Sequence, residues 1–306
     1  MDWTLVLIQF LNGLQLGLLL FLLASGLTLV FGIMDFVNLA HGALYMVGAY
    51  FCATLTFWTD SFILALVLAV PLTAIVGFLV EMIVARRLYP RSHLDHVLGT
   101  FGLILVFDTA VQMIWGPEGV AIPLPDWLNG QVTVGEVVLP SYRLMIIGGG
   151  LLVAALLYVL VNHTRLGMLI RAGASNRTMV GALGVNIQLL FAAVFALGAA
   201  LAGLAGMLIT PITGASIGMG NEIIIVAFVV IIVGGIGSMK GAFIAAILVG
   251  LIDTLGRSYL DDLFKLGMET EAAETSAPAV SAMLIYILMA VILAFRPQGL
   301  FPPKVR

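Results

Sequence analysis

Long apolar runs broken by short polar stretches dominate this chain, and their lengths decide its fold class. A bilayer core takes about 20 consecutive apolar residues as a helix. Nine runs approach or exceed that length: Leu5–Phe31, Leu39–Phe57, Phe62–Ala85, Val97–Trp115, Leu144–Val161, Leu189–Pro211, Ile223–Ile236, Ala242–Leu255 and Ala279–Phe295. None shows the strict apolar–polar alternation of a membrane barrel strand. The prediction is an all-α integral membrane protein, a polytopic helical bundle of about eight to ten transmembrane helices. Ile223–Ile236 and Ala242–Leu255 are short and separated only by the stretch from Gly234 to Gly241, which either turns a tight hairpin or breaks one helix. No linker or low-complexity tract divides residues 1–306, which read as one transmembrane domain. His41-Gly42-Ala43 and Lys240-Gly241-Ala242 each open a Gly/Ala-rich span, a match too short to establish an internal repeat.

Composition sharpens this picture. The chain is 62% hydrophobic and 9% charged, with a mean hydropathy of +1.17. A soluble domain carries about 25% charged residues, so this one cannot cover itself with polar surface. A net charge of −3 leaves no basic footprint for nucleic acid. The single Cys52 excludes an internal disulfide and reads as a small apolar helix residue. Met1-Asp2-Trp3-Thr4 lacks the basic start of a signal peptide, so the first run is expected to stay in the mature protein.

Lys and Arg positions set the orientation. With nine spans and the N-terminus outside, the cytoplasmic segments hold Arg86, Arg87, Arg91, Arg165, Arg171, Arg177, Lys240, Arg296, Lys304 and Arg306. The external segments hold Arg143, Arg257 and Lys265, so the bias is ten against three. The expectation is N-out and C-in. Two external stretches are long enough to form short surface elements and to receive a soluble partner, or to serve as plain solvated connections. They are Gly116 to Arg143, with acids Glu118, Asp126 and Glu136, and Arg257 to Pro278, with Asp261, Asp262, Glu269, Glu271 and Glu274.

Several catalytic and energy-coupling motifs are missing. Ser238-Met239-Lys240-Gly241 is the nearest approach to a phosphate-binding G-x-x-x-x-G-K-[ST] loop and fails on both sides of the lysine. No H-E-x-x-H occurs, and no metal site is expected. Thr164 to Ile187 alternates Arg165, Arg171 and Arg177 with Met168, Leu169, Met179, Val180 and Leu183. That pattern predicts a short amphipathic helix at the membrane face, either docked in a groove of a soluble subunit or resting on lipid.

Polar residues inside spans are costly and count as functional candidates. Asp35, Asn38 and His41, three apart, are read as neighbours on one side of a helix near the cytoplasmic face, forming a gate or a hydrogen-bonded kink. Asn12 and Gln15 face either a polar path or a neighbouring helix. Glu222 opens a helix, where its charge complements the dipole, and is also a candidate substrate contact. Asp108 with Gln112 and Asp253 with Arg257 have i,i+4 spacing, and Glu81 lies within reach of Arg86 or Arg87. Gly198, Ala202 and Gly206, and again Ala242, Ala246 and Gly250, mark close helix packing. An ion-coupled carrier would draw on Asp108, Glu222 or Asp253, none paired for that task. An intramembrane enzyme would need more than His41, with His93, His96 and His163 read as loop residues.

The run Gly26-Leu27-Thr28-Leu29-Val30-Phe31-Gly32-Ile33-Met34-Asp35-Phe36-Val37-Asn38-Leu39-Ala40-His41-Gly42 resembles the signature of branched-chain amino acid ABC transporter permeases, in particular the H-type subunit. Gly48-Ala49-Tyr50, Arg171-Ala172 to Gly184-Val185-Asn186, Gly234-Gly235-Ile236-Gly237-Ser238 and Arg296-Pro297-Gln298-Gly299-Leu300-Phe301 follow in the family's order. The resemblance implies a bacterial inner-membrane importer acting by alternating access. Its parts are a second related permease, two cytoplasmic ATPases that hold ATP-Mg, and a periplasmic substrate-binding protein; this chain binds no cofactor. It also implies that residues 164–187 are the ATPase-coupling segment, with Arg165, Arg171, Asn176, Arg177, Val180 and Leu183 as contacts. Substrates of the family are branched-chain or related hydrophobic amino acids, but also urea, short amides and other carboxylates. The sequence departs at Lys240, where proline is common, and at Gly173-Ala174-Ser175, where acids are common; both bear on ATPase contact.

Overall fold

The computed structural model describes residues 3–134, 137–267 and 270–302. Met1, Asp2, Glu136, Glu269, Lys304 and Arg306, invoked above, lie outside the described residues. Ten helices follow one another: α1 (Trp3–Met34), α2 (His41–Thr59), α3 (Phe62–Leu88), α4 (His93–Trp115), α5 (Ser141–His163), α6 (Arg165–Ala182), α7 (Ile187–Thr213), α8 (Met219–Gly234), α9 (Met239–Lys265) and α10 (Thr270–Phe295). In lipid every backbone polar group must be satisfied within the chain, and a helix does so over any apolar run. The helix starts are written in side chains. Ser61, Ser92, Thr164, Asn186 and Ser238 each accept a backbone N–H three residues on, and Ser92 with Asp95 completes a capping box.

Among the described residues seven helices are long and apolar enough to cross a membrane, so this is a multi-pass membrane protein. Burial ranks them. Of the best apolar window in α1, 83% is buried, against 17% in α4 and in α5 and 11% in α10. α1 and α7 are therefore the axis of the bundle, and α4, α5 and α10 its wall. The two short helices, α2 with 19 residues and α8 with 16, lie inside. Glycines allow this density. A side chain at Gly17 would strike Ala246 and Ile247, one at Gly48 would strike Gly203, and one at Gly250 would strike Gly13 and Gly17. Gly198, Gly206 and Gly250 thus pack closely, as their spacing predicts.

The packing has two similar halves, α1–α4 and α7–α10. α1 lies on α9 as α7 lies on α3, and α2 on α3 as α8 on α9, while α1 meets α7 and α2 meets α8. The matching motifs are not His41-Gly42-Ala43 and Lys240-Gly241-Ala242: Gly42 meets its counterpart Gly220, and Gly241 meets Gly234. The equivalence was hidden because helix-packing positions demand only small residues, not a shared sequence.

Other expectations resolve with their reasons. Gly235 to Ser238 is a tight hairpin, with Gly235 and Gly237 at positive φ. Residues Arg257 to Pro278 are not a loop. α9 runs on to Lys265 and α10 starts at Thr270, because Lys265 bonds Asp261 at 2.7 Å and Glu274 at 3.1 Å and clasps the two amphipathic ends. The stretch from Gly116 to Arg143 forms a 3₁₀ turn and a two-stranded hairpin, β1 (Gln131–Val134) with β2 (Val137–Pro140), a small addition to an otherwise helical fold. Cys52 is a buried helix residue.

Candidate functional site

Two regions concentrate the polar groups. The first lies inside the bundle, where α2 and α8 begin. The chain leaves α1 at Met34 and turns at Asp35, whose φ of 53° is unusual for a non-glycine residue. Residues 35–40 are not helical, so Asp35, Asn38 and His41 do not share a helix face. Asp35 stays exposed, 3.8 Å from His93. The segment then climbs into the bundle. The Leu39 amide donates to Thr100 Oγ1 at 3.2 Å, and His41 Nε2 bonds the Leu23 carbonyl at 3.1 Å. Leu23 is 34 − 23 = 11 residues before the end of α1, about 16 Å along the helix axis. Asn38 and His41, both wholly buried, are therefore deep in the protein and not at the membrane face where their place after the first run put them.

The counterpart segment, residues 214–218, brings α8 in from the other side. The Gly218 amide points to Met46 Sδ at 3.4 Å, and Asn221 Nδ2 donates to Asp108 Oδ2 at 3.1 Å. Asp108 thus pairs across the bundle to α8 and not with Gln112 along its own helix. Gly42 and Gly220 bring the two helix starts together, and a Cβ on either would overlap the other's carbonyl. Neither helix has a side-chain cap. Two N-termini without side-chain caps bring their positive dipole ends to the Gly42–Gly220 contact. At this junction Asn38 Nδ2 and Oδ1 and His41 Nδ1 are buried without a hydrogen-bond partner, as are Thr28 Oγ1, Tyr50 OH and Gln15 Oε1 elsewhere in the described interior. Buried polar atoms are nearly always paired, so this cluster marks the interior as a functional candidate.

A clamp holds the entry segment. Glu81, wholly buried, accepts from Arg86 at 2.8 Å and from the Tyr89 hydroxyl at 3.3 Å. The Glu81–Arg86 pairing follows the sequence expectation, and their i,i+5 spacing is met by a π-helical turn, Glu81–Ala85, in α3. Burial first, then the Glu81 charge, pushes the Tyr89 phenol up from its ordinary value, so it stays a neutral donor. Its ring meets Phe36 edge-on at 5.3 Å, and Phe36 meets His96 at 4.7 Å. His96, read as a loop residue, is buried in α4 and bonds the Leu88 carbonyl at 3.0 Å. Sequence reasoning missed Tyr89, Phe36 and His96, since nothing along the chain signals that they converge.

The remaining interior candidates separate. Asn12 accepts from Arg143 and donates to Gln9 at 3.1 Å, tying the start of α5 to α1. Gln15 is buried, whereas Glu222 is exposed in the first turn of α8. Asp253 pairs with Arg257 at 3.0 Å as its spacing predicts.

The second region is α6. It is helical, but broken at Asn176 (φ −155°, ψ 91°), whose side chain accepts from the Met179 amide at 2.9 Å and caps a second short helix. Arg165, Arg171, Asn176, Arg177 and Leu183 are exposed, while Val180 is buried. Arg171 donates to the Val161 carbonyl at the end of α5. Met168, before the break, and Met179 and Leu183, after it, stand 57%, 58% and 76% exposed, apolar side chains without cover among the described residues. Between α6, α1, α5 and the α8–α9 hairpin opens a cleft of about 1460 Å³. Among the described residues no three metal-ligating side chains converge.

Comparison with known proteins fits this architecture. Residues 9–293 match the family model described as the branched-chain amino acid transport system permease component. The permease protein BraD of a high-affinity branched-chain amino acid transport system in Pseudomonas aeruginosa is 30% identical over 305 residues, covering 95% of this chain and 94% of that one. The corresponding permease protein LivH of Escherichia coli K12 is 30% identical over 278 residues, covering 84% and 88%. A probable branched-chain amino acid transport permease protein LivH of Methanocaldococcus jannaschii is 28% identical over 260 residues, covering 81% and 80%. No solved structure matches the chain.

Proposed function

Because the chain belongs to the branched-chain amino acid transport permease family, we propose that it is the membrane-spanning subunit of an ATP-driven importer and forms half of a path for branched-chain or related hydrophobic amino acids. The observation that carries the reading is the match along residues 9–293, which takes in both the interior junction and α6. In this reading the N-terminus is periplasmic and the C-terminus cytoplasmic, in the bacterial inner membrane. ATP-Mg is bound and hydrolysed in two partner ATPases, and a second related permease and a periplasmic binding protein complete the assembly; this chain is not itself an enzyme. α6 is the coupling element: its uncovered apolar face suits a groove on an ATPase, and the break at Asn176 gives it a joint.

The interior junction is the gate. Asn38, His41 and Gln15 hold polar atoms that find partners only when α2 and α8 move apart or substrate passes. An ion-coupled carrier fits less well. Asp108, Asp253 and Glu81 each have a protein partner, and Glu222 is exposed.

The test is affinity purification of the tagged chain from mild detergent, with mass spectrometry of what travels with it. Recovery of a second permease and two ATPases, lost in an Arg171→Glu, Arg177→Glu variant, supports the reading. Recovery of the chain alone in a preparation that still transports overturns it.

A further inference from the structure

The cleft beside α6 shares Arg171, Asn176 and Arg177 with the coupling segment but adds an apolar wall from α1, α5 and α9. Its roof is apolar: Phe21 and Phe243 meet edge-on with centroids 5.1 Å apart, and above them Gly150 of α5 closes on Leu18 of α1. Below that roof α5 and α9 diverge, and Ala154 and Leu157 line the wall. α5 packs on α1 and α6, and α9 on α1, α8 and α10, so the side between α5 and α9 is left unclosed. From Ala154 to Asn162 the wall spans 162 − 154 = 8 residues, about 12 Å, close to one leaflet's share of a hydrocarbon core about 30 Å thick.

The mouth is charged. The charged lining comprises Arg171, Arg177 and Lys240 against one acid, Asp35, which already lies 3.8 Å from His93; Tyr158 is the remaining titratable group. Lys240 is held over the Phe301 ring at 5.2 Å, and Arg171 is anchored by the Val161 carbonyl, with further donors to offer. Cations in the lining, a largely apolar wall about 12 Å long and the gap between α5 and α9 are together the complement of a diacyl lipid with an anionic headgroup. A free phosphate would engage only the cations and leave the apolar wall of Ala154, Leu157, Phe21 and Phe243 uncovered.

We propose that this cleft is a binding site for an anionic phospholipid, whose phosphate lies at Lys240 and Arg171 and whose acyl chains enter between α5 and α9. The bound lipid wedges α5 and α6 relative to the α8–α9 hairpin, making the bilayer's charge an input to the coupling helix. The binding site does not rest on the importer reading; its effect on the coupling helix does.

The test uses the delipidated full-length chain, re-equilibrated in mild detergent with equimolar phosphatidylglycerol and phosphatidylcholine and read by native mass spectrometry. Phosphatidylglycerol is expected to be retained in preference to phosphatidylcholine. One cation near a headgroup contributes about fivefold, so Lys240→Gln should lower phosphatidylglycerol retention about fivefold and leave phosphatidylcholine unchanged. Ala154→Phe, which fills the wall, should expel both lipids while the variant elutes as the parent does. An excess of glycerol phosphate should not compete. Equal retention of the two lipids by the parent, indifference to both substitutions, or displacement by glycerol phosphate would overturn the proposal; the last would make the mouth a plain phosphate site.

Discussion

The interior junction and the α6 region place polar groups in the same protein under opposite conditions. At the junction, Asn38 and His41 are wholly buried, glycine meets glycine, and there is no room for a methyl group. At α6, Arg165, Arg171 and Arg177 stand in the open beside a large cleft, and the helix itself is broken. A dense interior is bistable: it cannot deform gradually and must separate as a unit. An exposed, broken helix can move with whatever docks on it. The contrast separates a part that resists motion from a part free to follow a partner, the division that the proposed gate and coupling helix would need.

Four variants test that contrast, from the largest effect to the smallest. Gly42→Leu should be the most damaging, since its side chain has only the Gly220 backbone and Ile224 to displace. Overpacking of this kind costs about 3 kcal/mol or more, and thermal unfolding in detergent should show a collapsed transition or no folded protein. Glu81→Ala should cost about 2–3 kcal/mol, because it strands Arg86 and removes the acceptor of Tyr89. The same thermal scan checks it, and an unchanged midpoint would mean the clamp holds nothing.

Asn38→Leu should go the other way in stability and the same way in function. Removing two unpaired buried atoms should be neutral or stabilising by about 1 kcal/mol, while uptake in reconstituted vesicles falls. A variant that is less stable, or that transports normally, would take Asn38 out of the gate. The pair Met179→Ser and Leu183→Ser touches only exposed positions, and stability should stay within about 0.5 kcal/mol. Substrate-stimulated ATP hydrolysis in the assembled importer should nevertheless be lost if this face is the coupling surface.

How much of this the sequence carried varies by element. The apolar runs were legible because spanning length is a one-dimensional property, and lipid leaves a helix as the solution for each run. The Glu81–Arg86 and Asp253–Arg257 pairs were legible too, being local. α6 was legible as an amphipathic segment, though its break at Asn176 was not: the residue leaves the helix and its side chain caps the next turn.

What only the tertiary structure decided is depth and partnership. Residues 35–40 follow a spanning run, so chain order puts them at the membrane face; the packing of α2 on α7 and α8 draws them inside instead. Asp108 has Gln112 four residues away, yet α8 supplies Asn221. The kinship of Gly42 and Gly220 lies 178 residues apart (220 − 42) and rests on one shared property, the absence of a side chain. Membrane insertion reads the hydrophobicity of each segment by itself, so sequence alone fixes which segments enter the bilayer. Helix association inside lipid is decided by shape and by hydrogen bonds between distant residues, and these exist only once the helices have met.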